Sequence, residues 1–377
     1  MNTKIIVALI TLLSIANIAN ATTIFARQYD MKCNACHVGV PPTLNKTGSY
    51  FLRNGMRFSQ NDSTTLQEFL SKEDRLVPIG FFIGNTNKRV NMESVTPKGK
   101  VSKNQYISNP MVNLFLSGSI NENFSTFVGF RFAYIKPNPN ESHREFNLLR
   151  EKVYLQYNDG ISHISRAGVL YLYPESSENS GLSDFPNIYI SPLDRGNLKP
   201  LYGAQYSYYI NNDLSFFVAG GIVGRLNNER SILGGLNYDY GNYSIGLIVN
   251  NITATNDNSK ISQYTPSEII LGERISIMTP FQYEFKYGYI NVTGVYEKND
   301  RVISGDYYGL ETSITVPVFE TGNVRFIYTT DNKEEQGYAF KYAQVLFDNI
   351  FINTNIAKVN TPKVSFDSIS FGANIIF

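Results

Sequence analysis

From about Leu76 to the C-terminal Phe377, apolar and polar residues alternate in short segments separated by turn residues. That period of two restricts the region to β-strands with one apolar face. Phe124, Thr126, Val128, Phe130, Phe132 and Tyr134 share one face, opposite Ser125, Gly129 and Arg131. Tyr202, Ala204, Tyr206, Tyr208 and Ile210 repeat this opposite Gly203, Gln205 and Ser207, and Ile245, Leu247 and Val249 alternate with Ser244 and Gly246.

The connections sort into two alternating classes. Short turns are predicted near Asn121–Asn123, Asn158–Gly160, Asn211–Asp213, Tyr240–Asn242, Thr279–Pro280, Thr321–Asn323 and Asp348–Asn349. Longer polar loops fall between them, from Val95–Asn104 and Lys136–Arg144 through to Lys358–Lys363. Seven short turns and eight long loops make sixteen strands. An even strand number with short turns at one end and long loops at the other is the pattern of a transmembrane antiparallel β-barrel, with both termini on the periplasmic side. Composition agrees: charged residues are 17% and aromatics 14%, with 26 Tyr, 25 Phe and no Trp, where a soluble domain carries about 25% charged residues. A soluble sandwich of two packed sheets is the rival architecture, but it would bury the apolar stripes and has no need of alternating turn lengths. The closing strand repeats the stripe, with Ile369, Phe371, Ala373, Ile375 and Phe377 against Ser370, Gly372 and Asn374. One face is thus expected to meet outer-membrane lipid, and the other, with Arg131 and Gln205, a lumen. Net charge is +1 with no long basic run, so no nucleic-acid partner is expected.

The N-terminus is different. Residues 1–21 have the form of a signal peptide: Lys4, an apolar run from Ile5 to Ala16, then Ala19-Asn20-Ala21 as cleavage site. No stretch in the remainder is long and apolar enough for a transmembrane helix. Both cysteines of the chain follow closely, in Cys33-Asn34-Ala35-Cys36-His37. A two-residue spacer lets both thiols reach the vinyl groups of one haem, and the next residue turns its imidazole to the iron. The motif therefore predicts one covalent haem c, with thioethers at Cys33 and Cys36 and His37 as axial ligand. A disulfide, a redox dithiol and half a zinc site are the alternatives; the zinc reading lacks a second ligand pair. Met56, after Gly55, is the candidate distal ligand; His143 and His163 are the other histidines. Pro41 and Pro42 can shape the turn behind His37. Thr64 with Gln67 has the form of a capping box, so a short helix is expected there. The haem segment spans 22–75 and the barrel 76–377. So small a segment needs a surface to pack on, which places it in the lumen or across the periplasmic mouth.

Phe25-Ala26-Arg27-Gln28-Tyr29, the Cys33-to-His37 motif, Pro42, Leu44-Asn45, Gly48 and Phe51 to Gly55 resemble the opening of the fused monohaem cytochrome–porins of bacterial outer membranes, known as candidate Fe(II) oxidases. At position 56, where that family often has an aromatic residue, this chain has Met. The resemblance implies a haem fused to a sixteen-stranded porin, taking electrons from an extracellular donor such as Fe(II) and passing them to a periplasmic electron-carrier protein. In enzymatic terms this would be an Fe(II):cytochrome c oxidoreductase. A conduit running outward, and a diffusion porin plugged or gated by its haem segment, are the competing expectations.

Overall fold

The computed structural model describes Tyr29, residues 31–37 and 45–58, and residues 79–376 except 97–98, 136–144, 161, 172–199, 212, 224–228, 255–271, 300–305, 333, 347–349 and 363. The signal peptide, Pro41 and Pro42, the Thr64–Gln67 cap, His143 and Phe377 lie outside the described residues.

Sixteen antiparallel strands close into one barrel. They are β1 (Ile79–Thr96), β2 (Gly99–Ser119), β3 (Phe124–Ile135), β4 (Glu145–Asn158), β5 (His163–Tyr171), β6 (Pro200–Tyr209), β7 (Leu214–Val223) and β8 (Glu229–Tyr240). The second half comprises β9 (Tyr243–Ala254), β10 (Gly272–Phe285), β11 (Gly288–Asn299), β12 (Tyr307–Val318), β13 (Gly322–Asp331), β14 (Gln336–Leu346), β15 (Ile350–Asn360) and β16 (Val364–Ile376). Each strand pairs with its sequence neighbours. β1 closes the ring on β16, from Phe82↔Ile376 to Ser94↔Val364. Closure leaves no edge along the barrel wall, and the sandwich is thereby ruled out.

The alternation works as expected. Leu155, Tyr157, Val218, Ile232, Leu247, Phe326, Ile369 and Phe371 are exposed on the outer face. Aromatic pairs ring that face near both rims. Phe124–Tyr157, Tyr208–Phe216 and Tyr243–Tyr283 stand near the short turns, and Tyr296–Tyr308 and Tyr328–Tyr338 near the long loops. Such girdles mark the two interfaces of a lipid-spanning barrel. Among the described residues no helix is long and apolar enough to cross a membrane; the strands make the crossing.

Two turn placements differ from the sequence reading. Thr279–Pro280 is not a turn but lies within β10, and the reversal comes at Lys286–Tyr287, between the paired Phe285 and Gly288. The first long loop is a tight hairpin between paired Thr96 and Gly99. Its strands are the longest, 18 and 21 residues. β2 pairs with β3 only from Met111 to Ser119, so among the described residues its first half is laddered to β1 alone.

The inner wall is mixed. Gln156, Ser276, Thr293, Glu297, Glu311, Ser313 and Arg325 are buried there. So is an apolar patch containing Tyr154, Leu201, Phe217, Leu233, Ile248 and Met278.

Candidate functional site at the barrel mouth

Cys33–Ala35 form one 3₁₀ turn, with Cys36 and His37 following. What holds this turn is Asn45. Its amide Nδ2 donates to the carbonyls of Asn34 and Ala35 at 3.1 Å and of His37 at 3.4 Å, while its backbone N–H bonds the Cys36 carbonyl at 3.0 Å. Its Oδ1 simultaneously accepts from Gly48 N–H at 2.9 Å, capping helix α1 (Lys46–Arg53). Substituting such a cap by Ala costs about 1 kcal/mol. One side chain thus joins the motif to the helix.

α1 ends in a left-handed turn. Gly55 has φ +71° and Met56 φ +64°. The Met56 N–H returns to the Phe51 carbonyl at 2.8 Å, closing a Schellman turn. Gly tolerates this region freely, whereas for Met it costs about 1–2 kcal/mol. Tyr29, Phe51 and Phe58 pack together with centroids 4.8–5.4 Å apart.

Among the described residues, the segment is bonded to the barrel at the β2–β3 wall and at the β12–β13 turn. On the β2–β3 wall, the Met56 thioether accepts from Ser117 Oγ, and Met56 is 2% exposed. Gly55 lies so close to Ser125 that an added Cβ would sit 3.1 Å from its Oγ. Arg57, also 2% exposed, donates through Nη1 to the Asn121 carbonyl of the β2–β3 turn at 3.2 Å. Burial pulls the Arg57 guanidinium below its ordinary pKa, against the opposing pull of Tyr29 and Glu122. At the β12–β13 turn, Lys32 Nζ pairs with the Glu320 carboxylate at 3.1 Å, and Asn34 Nδ2 donates to the Glu320 carbonyl at 3.1 Å. Between these two points lie four strands one way around the ring and eight the other. Both turns belong to the short-turn rim. The segment therefore runs as a chord across that mouth.

The chemistry of the donor set fits a covalent haem c. Cys36 and His37 are both half-buried and adjacent, and the backbone between Cys33 and His37 is fixed by Asn45. Met56 is directed at the barrel wall. His163 is on the outer face, its Nδ1 2.7 Å from Tyr206 OH and its ring against Tyr208, among the short-turn aromatics. That removes it from the lumen. Asn45 entered the sequence reading only as part of the resemblance, and Arg57 and Glu320 were not singled out. Asn45 carried a signal, an N-cap residue ahead of Phe51, Leu52 and a Gly stop; Glu320 carried none, being 286 residues from Asn34.

The lumen wall has charge of its own. On β3–β5, Arg131 Nε donates to Asn113 at 2.9 Å and Arg166 Nε to Gln156 at 2.7 Å. Lys152 and Arg166 both lie over the Tyr154 ring, at 5.6 and 5.3 Å. On β12–β13, Arg325 donates to Ser313 at 3.1 Å and lies 3.9 Å from Glu311.

A closed, lipid-faced barrel of this strand number is a porin-like barrel of the bacterial outer membrane, and solved structures share its fold. The anion-selective porin of Comamonas acidovorans is 16% identical with a TM-score of 0.52, covering 79% of this chain and 99% of its own. OmpF of Salmonella typhi, solved with daunomycin, is 11% identical with a TM-score of 0.56, covering 79% and 97%. The outer-membrane channel DcaP of Acinetobacter baumannii is 10% identical with a TM-score of 0.51, covering 79% and 96%. No protein-family model and no curated protein sequence matches the chain.

Proposed function

We propose that this protein is an outer-membrane channel whose periplasmic mouth is narrowed by its own N-terminal segment, and that this segment carries one haem c. The observation that carries the reading is the pair of attachments: Gly55–Arg57 are fastened to the β2–β3 wall and Lys32 and Asn34 to the β12–β13 turn. In this assignment Cys33 and Cys36 hold the haem and His37 binds its iron, while Asn45 fixes the turn that presents all three. Bound haem supplies a one-electron centre at the mouth. Met56 would have to leave Ser117 to reach the iron as its distal ligand.

The Cys33-to-His37 motif favours a second reading on the same architecture, electron transfer. An external donor, Fe(II) among them, would enter the lumen and be oxidised, and a periplasmic carrier protein would take the electron. The single-haem design requires donor entry, since a hydrocarbon core is about 30 Å thick.

Two measurements test this. Denaturing gels of the purified protein should show haem stain on the polypeptide. In planar bilayers, deletion of residues 22–58 should raise conductance. A full-length protein that conducts as well as the deleted one refutes the plug, and loss of haem in acid–acetone refutes the attachment. Reduction of the haem by Fe(II) added to intact cells then distinguishes the conduit from a passive plug.

A further inference from the structure

We propose that the outer wall of β4–β8 holds one phospholipid of the periplasmic leaflet, with an acyl chain laid in a groove over Ala167, Ala204 and Gly220 and a zwitterionic headgroup beside His163. This site is on the lipid face and is independent of the haem and of the mouth.

Strand register sets the small residues side by side. Ala167 pairs with Ala204 and Ala204 with Gly220, so three neighbouring strands turn two methyl groups and a hydrogen outward. The same row continues into Leu155 on β4 and Ile232 on β8, which stand up as the two banks. Beside the floor, Gly203 pairs with Gly221 on the inner face, and a Cβ on either would strike the backbone of the opposite strand. The wall is thin there on both faces. The result is a hollow of about 510 Å³, lined almost wholly by apolar atoms and open to lipid on one side. Small-molecule sites fall in the range of roughly 300–1,000 Å³.

The place of the hollow identifies its occupant. Lining atoms left without neighbours forfeit dispersion contacts, and the medium against this wall is lipid. A second barrel presents a convex wall and would bring only single side chains into the hollow, whereas an acyl chain follows its length. The floor climbs from the short-turn rim: Ala167 is four residues beyond His163, where β5 starts, and Gly220 six beyond Leu214, where β7 starts. At about 3.4 Å per residue and a tilt near 45°, the floor is roughly 10–14 Å into a core about 30 Å thick. It is therefore reached from the periplasmic leaflet.

Tyr206 connects the groove to the headgroup level. Its ring lines the hollow, and its OH is 2.7 Å from His163 Nδ1. The His163 side chain is 45% accessible, with Asp159 Oδ2 3.9 Å from its Nε2. An imidazole and a carboxylate thus stand together at the rim, one to meet a phosphate and the other an ammonium.

The chain contains no Trp, so a single Trp in the full-length protein reports alone. Ile232→Trp puts it on the bank of the groove and Phe371→Trp on the outer wall of β16, both exposed positions. The delipidated protein in detergent is titrated with phosphatidylethanolamine brominated on its acyl chains, which quenches Trp on contact. Ile232→Trp should lose most of its fluorescence at one lipid per protein and then level off. Phe371→Trp should fall only in proportion to the lipid content of the micelle. Ala204→Leu with Gly220→Leu fills the floor and should return Ile232→Trp to the proportional curve. A Cβ at Gly220 makes only ordinary contacts, the nearest at 3.6 Å to the Ser231 carbonyl. If that variant does not migrate as a folded band, the two reporters decide by themselves. Superimposable curves for Ile232→Trp and Phe371→Trp refute the groove. Weaker quenching of Ile232→Trp than of Phe371→Trp, with a dimer on chemical cross-linking, gives the hollow to a second copy and refutes the lipid. His163→Leu with Asp159→Asn, which keeps the acceptor for the Ser162 and His163 N–H groups, should move saturation to several lipids per protein. An unchanged saturation point refutes the headgroup contact.

Discussion

The ring of Pro280 on β10 sits over Gly246 of β9: a Cβ added at Gly246 would lie 2.8 Å from Pro280 Cγ. The β9–β10 ladder runs to Met278↔Ile248 and resumes at Phe281↔Ile245, skipping Thr279 and Pro280. Proline has no N–H to give a ladder and is normally confined to edges and bulges. A closed barrel has no edge, so this proline is accommodated by a missing side chain on the neighbouring strand.

That pairing predicts a rescue. Gly246→Val should destabilise the barrel by about 1–3 kcal/mol through overpacking. The temperature at which the folded band disappears from unboiled gels should fall. Gly246→Ala with Pro280→Ala should recover most of the loss of Gly246→Ala alone; purely additive effects would show that the two do not share a space.

Asn45 combines a cap with a clamp, and two variants separate them. Asn45→Asp keeps the acceptor for Gly48 N–H but cannot donate to the Asn34, Ala35 and His37 carbonyls. Asn45→Ala loses both, at about 1 kcal/mol for the cap. Limited proteolysis between residues 34 and 45 should be faster in both variants. Hydrogen exchange in α1 should rise only in the Ala variant. Equal exchange in the two would remove the cap from the account.

Cys36→Ala should leave at most one thioether and a weak haem stain, and His37→Ala should prevent normal maturation, with the barrel still migrating as folded. The separation follows because the ring is closed by its own strands, independently of the segment. A His37→Ala protein with unchanged haem absorption would overturn His37 as the iron ligand.

In the lumen, Arg325→Met removes the cation 3.9 Å from the Glu311 carboxylate, and these side chains are only 5% and 8% accessible. Breaking a buried pair from one side costs about 3–5 kcal/mol, whereas replacing both members with apolar residues is often neutral. Arg325→Met should lower the urea midpoint sharply, and Arg325→Met with Glu311→Leu should regain most of it. Failure of the double variant to recover would mean the two residues are held by other parts of the wall.

The outer stripes made the barrel legible: Phe124 to Tyr134, Tyr202 to Ile210 and Ile369 to Ile375 alternate in sequence because one side meets lipid along their whole length. Arg131 and Gln205 face inward for the same reason. Pro280 misled because proline usually ends a strand, and only Gly246, 34 residues earlier, reveals the exception. The Cys33–His37 motif was legible because its chemistry is local. Its docking was not, because a contact between Asn34 and Glu320 leaves no periodicity in either stretch. Helix α1 fell between: the Asn45 cap and Gly55 stop were present, but eight residues give too few turns for an apolar stripe to stand out.

The long β1–β2 hairpin has a consequence at the other rim. Gly99 to Pro110 of β2 stand beyond the last partner on β3, so on that side the described ladder of N–H and carbonyl groups is open. Open ladders recruit further strands, including those of neighbouring copies on a crowded cell surface. Lys100 and Lys103 are exposed, one on each face of this ribbon, and charged side chains on an open ladder disfavour its pairing with a second strand.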